Sequence, residues 1–313
     1  MLGKTASSIY WMFRDLERSE NIARLVETGF RIALTRAQSD NGEWASVITT
    51  AGVRDAYEAL YSEYDRDQVI DFLLRNPDNP LSVISTMRNA RNNARIARTD
   101  LTREVWEAVN DAWLRLSQTF KNPINHKELP EVLSLIRQLS AQVQGALHGT
   151  MLRNDIYNFA RIGTFIERAD NTARILDVKY YVLLPSAAPI GSSLDNVQWE
   201  TILRAVSAER AYRWLYSDDV SPVSIAKFLI LDKRLPRSLA FCMGEILSNL
   251  SQLDIGYGQS TPSQDKAFEL LKQLSDDSID EIFATGLHEF IKGFLRDKNT
   301  LSLSIETDYR FLK

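Results

Sequence analysis

Two short polar motifs carry the residue types that could do chemistry. In the first, Glu17, Asn21 and Arg24 recur at steps of four and three, so on a helix they share one face. Glu20 lies beside that face, and Arg18 lies about 100° round from it. Such a set could bind a ligand or take part in acid–base chemistry. It could equally form an interhelical network in which arginine clamps the carboxylates and asparagine bridges to a facing helix, and this is the outcome we expect.

The second motif repeats the first 150 residues later. Residues 16–25 align with residues 166–175, with five identities in ten positions, and further matches follow at offsets of 155 and 156. We therefore predict two duplicated halves, residues 1–150 and 151–313, packed as one compact unit with pseudo-two-fold symmetry. The second set of polar-core candidates comprises Glu167, Arg168, Asp170, Asn171 and Arg174.

A basic stripe follows in the first half. Arg88, Arg91, Arg95 and Arg98 recur at three- and four-residue steps, with small alanines between them. Capture of a phosphate or carboxylate is one interpretation. We expect instead that the stripe pairs with the acids of the two motifs, since the charges match and the alanines permit close helix approach.

Composition excludes several classes of protein. Asp+Glu number 41 and Lys+Arg 37, so a net charge of −4 offers no basic excess for a general nucleic-acid binder. The three histidines lie in no metal-ligand spacing, so we predict no metal site. The single cysteine, Cys242, is predicted to be a buried and unreactive thiol. No run of 18 apolar residues occurs, and the N-terminus does not have the layout of a signal peptide. We expect a cytoplasmic protein that binds neither membrane nor nucleic acid.

The apolar residues recur at helical spacing almost throughout, which predicts an all-α bundle array. We expect a long first helix near residues 5–36, one helix carrying residues 44–61 and another running from Pro80 to about Phe120. A final helix is expected at 279–296. Residues 301–305 alternate like a strand, and a lone strand forms no sheet, so they predict an extended or frayed tail.

Several segments resemble the bacterial alpha-E family. They are Leu16-Glu17-Arg18-Ser19-Glu20-Asn21, Arg88-Asn89-Ala90-Arg91 and Phe165-Ile166-Glu167-Arg168-Ala169-Asp170-Asn171. The resemblance covers essentially the whole chain, and the Glu-Arg motif of the family corresponds to Glu17-Arg18 and Glu167-Arg168. It implies a helical fold and identifies no catalytic residues.

The resemblance also implies partners. Members of the family are typically encoded beside, or fused to, circularly permuted ATP-grasp proteins, and often near transglutaminase-like peptidases. The implied function is a helical accessory module that positions a peptide or amino-acid substrate for an ATP-grasp type amide or peptide ligase. ATP and Mg²⁺ would then bind to the partner, and we predict no cofactor in this chain. The alternative is an enzyme of the same pathway that uses the duplicated Glu/Arg/Asn core as its active site.

Overall fold

A computed structural model describes residues 3–35, 42–183, 193–216, 221–276 and 278–311. Within these ranges the chain forms fifteen α-helices, one 3₁₀ turn and no β-strand, so the all-α prediction is confirmed. No helix in the described ranges is both long and apolar enough to cross a membrane. Up to residue 150 the helices are α1 (Gly3–Thr35), α2 (Gly42–Ala51), α3 (Arg54–Glu58), α4 (Arg66–Leu74), α5 (Val83–Ile96), α6 (Arg103–Thr119) and α7 (Leu129–Thr150). Beyond it they are α8 (Asp155–Leu183), α9 (Ser193–Ala205), α10 (Glu209–Tyr216), α11 (Pro222–Leu231), α12 (Leu239–Tyr257), α13 (Pro262–Asp276), α14 (Ile279–Thr285) and α15 (Leu287–Asp308).

Helices α1 and α8 form the centre of the fold. They pack against each other, and each is buried on most sides by the helices around it, with polar as well as apolar side chains inside. Gly163 lies where the two cross, because a side chain there would collide with the carbonyl oxygen of Tyr10. The backbones can therefore approach closely one turn before Glu167, which positions the polar motifs of the two helices against each other.

The remaining helices surround this central pair in matching arrangements. Helix α1 packs against α5 and α7, and helix α8 packs against α12 and α15. Helix α6 joins α5 and α7, as α13 joins α12 and α15. Helices α2 and α9 each contact both central helices.

The long helix predicted from Pro80 begins later than expected because side chains cap its first turn. The helix predicted from Pro80 begins at Val83, because Asn79 and Ser82 hold the preceding turn. Asn79 accepts a hydrogen bond from the Leu81 amide at 3.0 Å, and Ser82 Oγ accepts from the Ser85 amide at 3.3 Å. This helix also ends at Ile96, so the prediction of one helix from Pro80 to Phe120 is wrong.

Glycines with positive φ divide two other predicted helices. Gly52, at φ +72°, separates α2 from α3, and Gly286, at φ +107°, separates α14 from α15. The predicted extended tail at residues 301–305 is wrong, because these residues belong to α15. Leu301 and Ile305 share its buried face, and the alternation with serines concealed that spacing of four.

Candidate functional site

The Glu-Arg pairs of α1 and α8 clamp each other across the contact between the two helices. Arg18 donates from Nε to Glu167 Oε1 at 2.6 Å and from Nη2 to Glu167 Oε2 at 2.7 Å. Arg168 donates in the same way to the two oxygens of Glu17, at 2.9 and 2.8 Å. Such bidentate contacts are stronger and more directional than single hydrogen bonds. They are the contacts of an interhelical network, which is the outcome that the motifs predict.

A further arginine, from the turn before α12, completes the surroundings of Glu17. Arg237 Nη1 donates to Glu17 Oε1 at 3.1 Å and to Asn21 Oδ1 at 3.3 Å, and its Nη2 donates to Glu20 Oε1 at 2.6 Å. Glu17 is fully buried, so two guanidinium groups replace the water that its carboxylate would otherwise bind.

Glu20 is enclosed in the same way. Arg24 donates to Glu20 Oε1 from Nε and Nη2, at 2.9 and 2.7 Å, and Ser140 Oγ donates to Glu20 Oε2 at 2.7 Å. The remaining guanidinium nitrogen of Arg24, Nη1, donates to Ser207 Oγ at 2.5 Å. We call this set the Glu17 cluster: Glu17, Glu20, Asn21, Arg24, Ser140, Arg168, Ser207 and Arg237.

The second motif has different neighbours. Arg14 donates from Nε and Nη2 to Glu167 Oε2, both at 3.3 Å, and from Nη1 to Ser302 Oγ at 3.1 Å. Asp170 accepts from Lys298 Nζ at 2.5 Å and from Arg174 Nε at 2.6 Å. We call this set the Glu167 cluster: Arg14, Arg18, Glu167, Asp170, Asn171, Arg174 and Lys298.

Three carboxylates of the two clusters, those of Glu20, Glu167 and Asp170, are held in the charged form. Burial alone would raise the pKa of Glu20, but Arg237 and Arg24 lower it to about 2. Burial opposes ionisation of Glu167 as well, yet Arg18 and Arg14 lower its pKa, and Lys298 and Arg174 lower the pKa of Asp170. A carboxylate held in this way is a poor proton acceptor at neutral pH.

Asp15 is the exception among the acids at this contact. It is buried beside Arg18, whose Nη1 lies 3.9 Å from its carboxylate. Burial raises the pKa of Asp15 to about 7; Arg18 and Arg14 oppose this rise, and Glu167 adds to it. Asp15 is therefore the group of this region that titrates near neutral pH.

A cleft of about 230 Å³, which we call the Asn171 cleft, opens on the Glu167 cluster. Four cationic side chains of the cluster line it, against two carboxylates. Asn171 also lines it and is 8% exposed; its Nδ2 is buried and has no hydrogen-bond partner among the described residues. A buried donor without an acceptor costs roughly 1–3 kcal/mol, so any acceptor that enters the cleft beside Asn171 gains from it.

A second cleft, of about 320 Å³, lies between α1, α7 and the α9–α10 segment. Its arginines already have carboxylate partners. Arg31 and Arg137 both pair with Glu27, and Arg204 pairs with Glu209. We call it the Arg137 cleft. Four arginines and two glutamates line it, and Arg24 and Ser207 of the Glu17 cluster are among the lining residues.

The prediction that the basic stripe of α5 pairs with the acids of the motifs is wrong. Arg88 and Arg95 are exposed, and Arg91 donates to Asn110 Oδ1 at 2.9 Å on the neighbouring helix α6. The reason is the face that α5 buries, which is offset by one position from the arginines and consists of Val83, Met87, Ala90 and Ala94.

The sequence motifs also missed several members of the two clusters. Arg14 lies one helical turn before Arg18 on α1, so the periodicity of that helix could have found it. Arg237 directly follows Pro236, at the position that the repeat matches to Leu81, and this difference between the halves was a usable signal. Lys298 and Ser140 belong to distant helices and have no sequence pattern that links them to the motifs.

Two of the sequence-based exclusions concern metal and thiol chemistry. No three His, Cys, Asp or Glu side chains in the described ranges are grouped so that they could hold a metal ion. Cys242 is fully buried, and burial raises its pKa to about 12, so its thiol stays protonated and unreactive at neutral pH.

Comparison with known proteins gives the chain its family. A family model, Alpha-E, described as a predicted alpha-helical domain with a conserved ER motif, matches residues 1–310. Uncharacterized proteins of Mycobacterium bovis and of two Mycobacterium tuberculosis strains are each 24% identical over 312 residues. Each match covers 91% of this chain and 34% of the relative, so the chain spans about a third of the length of these curated relatives. No solved structure matches the chain. Because the family model matches residues 1–310, the chain belongs to the Alpha-E family.

Proposed function

We propose that this chain is a helical accessory module that works with an ATP-grasp type amide or peptide ligase and positions its peptide or amino-acid substrate. The observation that carries the proposal is the state of the motif carboxylates. Glu17 and Glu167, the bases that an enzyme would use, each accept hydrogen bonds from two guanidinium groups. These two carboxylates connect the helices, so in this proposal the partner ligase carries out the chemical reaction.

The module is proposed to be one compact unit of two duplicated halves, residues 1–150 and 151–313, related by a pseudo-two-fold axis between α1 and α8. Two observations support this. The contacts of α1 with α5 and α7 correspond to those of α8 with α12 and α15. The clamp is reciprocal, since Arg18 binds Glu167 and Arg168 binds Glu17.

The choice of partner rests on the family and on the length of the relatives. An Alpha-E region that occupies a third of a longer protein is expected of a module that acts beside other domains. The association of the family with circularly permuted ATP-grasp proteins favours a ligase, and its association with transglutaminase-like peptidases makes such a peptidase a second candidate partner. The partner would bind ATP and Mg²⁺. Because the partner needs ATP, the two proteins are proposed to act in the cytoplasm.

The test is co-expression with the ATP-grasp protein encoded beside this chain. We expect the two to co-elute in size-exclusion chromatography, with ATP turnover in the presence of amino acids that depends on this chain. Separate elution with unchanged turnover contradicts the proposal.

A pair of variants separates this proposal from an enzyme in this chain. Glu17→Gln tests the motif, and Glu107→Gln, whose carboxylate lies in an exposed pair with Arg103, is the control. A module predicts that Glu17→Gln lowers the melting temperature while turnover per folded complex stays at the wild-type value. Full stability with lost turnover would mean that Glu17 is a catalytic base.

A further inference from the structure

Two residues fill the space beside the Glu17 cluster, and the residues that the repeat matches to them at the Glu167 cluster have smaller side chains. The first is Arg237, which fills the space beside Glu17, Glu20 and Asn21. The repeat matches Arg237 to Leu81, which lines the Asn171 cleft. Leucine is shorter than arginine and carries no charge, so the space beside Asn171 stays open.

The second position is Ser207, which the repeat matches to Gly52 at an offset of 155. Both have positive φ, +55° and +72°, so the backbone turn is the same type. Ser207 accepts a hydrogen bond from Arg24, whereas Gly52 has no side chain to offer Arg174. A Cβ on Gly52 would lie 3.1 Å from Arg174 Nη1, so the guanidinium occupies the space that a side chain would use.

Arg174 consequently has donors to spare. Its Nε binds Asp170, while neither Nη1 nor Nη2 has a hydrogen-bond acceptor among the described residues. Asn171 and Arg174 are three residues apart on α8, so they share one face, and both line the cleft. Two adjacent residues that line the cleft thus have unused N–H donors, and four cationic side chains line the same space against two carboxylates.

We propose that the Asn171 cleft binds the carboxylate of an amino acid or of a peptide C-terminus, with Arg174 and Asn171 as its donors. This inference rests on the proposed function and names the group by which the module holds its substrate. A planar carboxylate matches the edge of a guanidinium and accepts an amide donor beside it. The volume of about 230 Å³ lies below the roughly 300–1,000 Å³ of pockets for drug-sized ligands, so it suits a single small group such as a carboxylate.

The experiment is isothermal titration calorimetry on the full chain in Tris chloride buffer. The probes are N-acetylglycine, which ends in a carboxylate, and N-acetylglycinamide, its neutral match. Inorganic phosphate is the competing oxyanion. We expect N-acetylglycine to bind at one site per chain, and the amide and phosphate to bind at least tenfold more weakly.

Three variants place the site in the cleft. Leu81→Arg and Gly52→Ser install the closing groups of the Glu17 cluster, and Asn171→Asp replaces the donor by a carboxylate of the same size. Each is expected to weaken binding of N-acetylglycine at least tenfold. Arg31→Gln, in the Arg137 cleft, is the matched control and should bind like the wild type. Because Leu81→Arg places a charge in a half-buried position, its folding is checked by circular dichroism, and Gly52→Ser carries the test if it does not fold.

Three outcomes overturn the inference: no binding of N-acetylglycine, binding that the variants leave unchanged, and tighter binding of phosphate than of the carboxylate. None of them requires the ligase. A complex with the ligase but no carboxylate binding defeats this inference alone. Carboxylate binding without a complex defeats the proposed partnership alone.

Discussion

The Glu17 and Glu167 clusters start from the same residue types and end in different states. Arg237 and Ser207 fill the space beside the buried carboxylates of the first, and its outer edge, at Arg24 and Ser207, borders the Arg137 cleft. Leu81 and Gly52 stand at the matched positions of the second, where a cleft and an unpartnered amide remain. Both copies of the motif form the clamp, while in the second copy Asn171 and Arg174 keep N–H donors without acceptors among the described residues. The clamp and the cleft are separable, since Arg168 binds Glu17 beside a space that Arg237 fills and Arg18 binds Glu167 beside an open one.

The largest expected effect comes from opening the closed cluster. Arg237→Leu gives the Glu17 cluster the residue that Leu81 provides in the other half. It leaves Glu17 and Glu20 buried with one cation fewer, so we expect a loss of about 3–5 kcal/mol in the free energy of unfolding. Urea denaturation measures it, with Arg234→Leu, an exposed neighbour, as the control. A loss no greater than that of the control would mean that Arg237 is dispensable to the joint.

The second-largest effect on the free energy of unfolding is expected from neutralising the two motif carboxylates, one at a time. Glu17→Gln keeps the size of the side chain but removes a fully buried charge from between Arg168 and Arg237, and we expect a loss of about 2–3 kcal/mol. Glu167→Gln should cost less, because Glu167 borders a cleft that water can enter. Denaturant midpoints of both variants and of Glu107→Gln test the order. Equal losses in the free energy of unfolding at Glu17 and Glu167 would show that the open cleft does not lower the cost of neutralising Glu167.

Asp15 should make the stability of the folded chain depend on pH. It has no acidic counterpart in the other half, since the repeat places Phe165 at the matched position. The pKa of Asp15 is about 7 in the folded chain and about 3.8 for a solvated carboxyl group. The folded state therefore holds a proton that the unfolded chain has already lost, and this stabilisation disappears as the pH rises from about 4 to 7. Asp15→Asn should match the wild type near pH 4 and exceed its stability by about 1–4 kcal/mol at pH 8, since one pKa unit is about 1.4 kcal/mol. Parallel stability curves across this pH range would contradict the assignment.

The smallest expected effect is at Ser207, where two contributions oppose each other. Ser207→Gly removes the acceptor of Arg24 but relieves a side chain at φ +55°. The hydrogen bond is worth about 1 kcal/mol and the left-handed backbone costs about 1–2 kcal/mol, so we expect a net change within about 1 kcal/mol. Thermal unfolding measures it, and a loss several times larger would give Ser207 a greater share in closing the cluster.

The sequence predicted the helical class and the paired motifs because both depend on spacing along one helix. Glu17 and Arg18 recur at Glu167 and Arg168, and matched residues on central helices meet in space. The arginine stripe of α5 was misjudged because helical periodicity defines faces without stating which of them is buried. The apolar positions of that helix, from Val83 to Ala94, contained the answer.

The rest of the site depends on residues that only the tertiary fold brings together. Lys298 reaches Asp170 from 128 positions away, and no local pattern marks it as a partner. The cleft exists because Leu81 and Gly52 have smaller side chains than Arg237 and Ser207 at the matched positions. The empty space left by a smaller side chain can be recognised only once the neighbouring residues have been located in the fold.

The reciprocal clamp has a consequence for how such a chain could originate. Each half supplies the arginine that the other half's glutamate needs, which is the relation between two protomers at an isologous dimer interface. A single half with this motif could close its clamp only by pairing with a second copy of itself. In such a homodimer every substitution appears twice, so a leucine at position 81 would open both sides of the interface at once. Joining the copies in one polypeptide removes that constraint, because one side can then keep the arginine that secures the interface while the other gives it up.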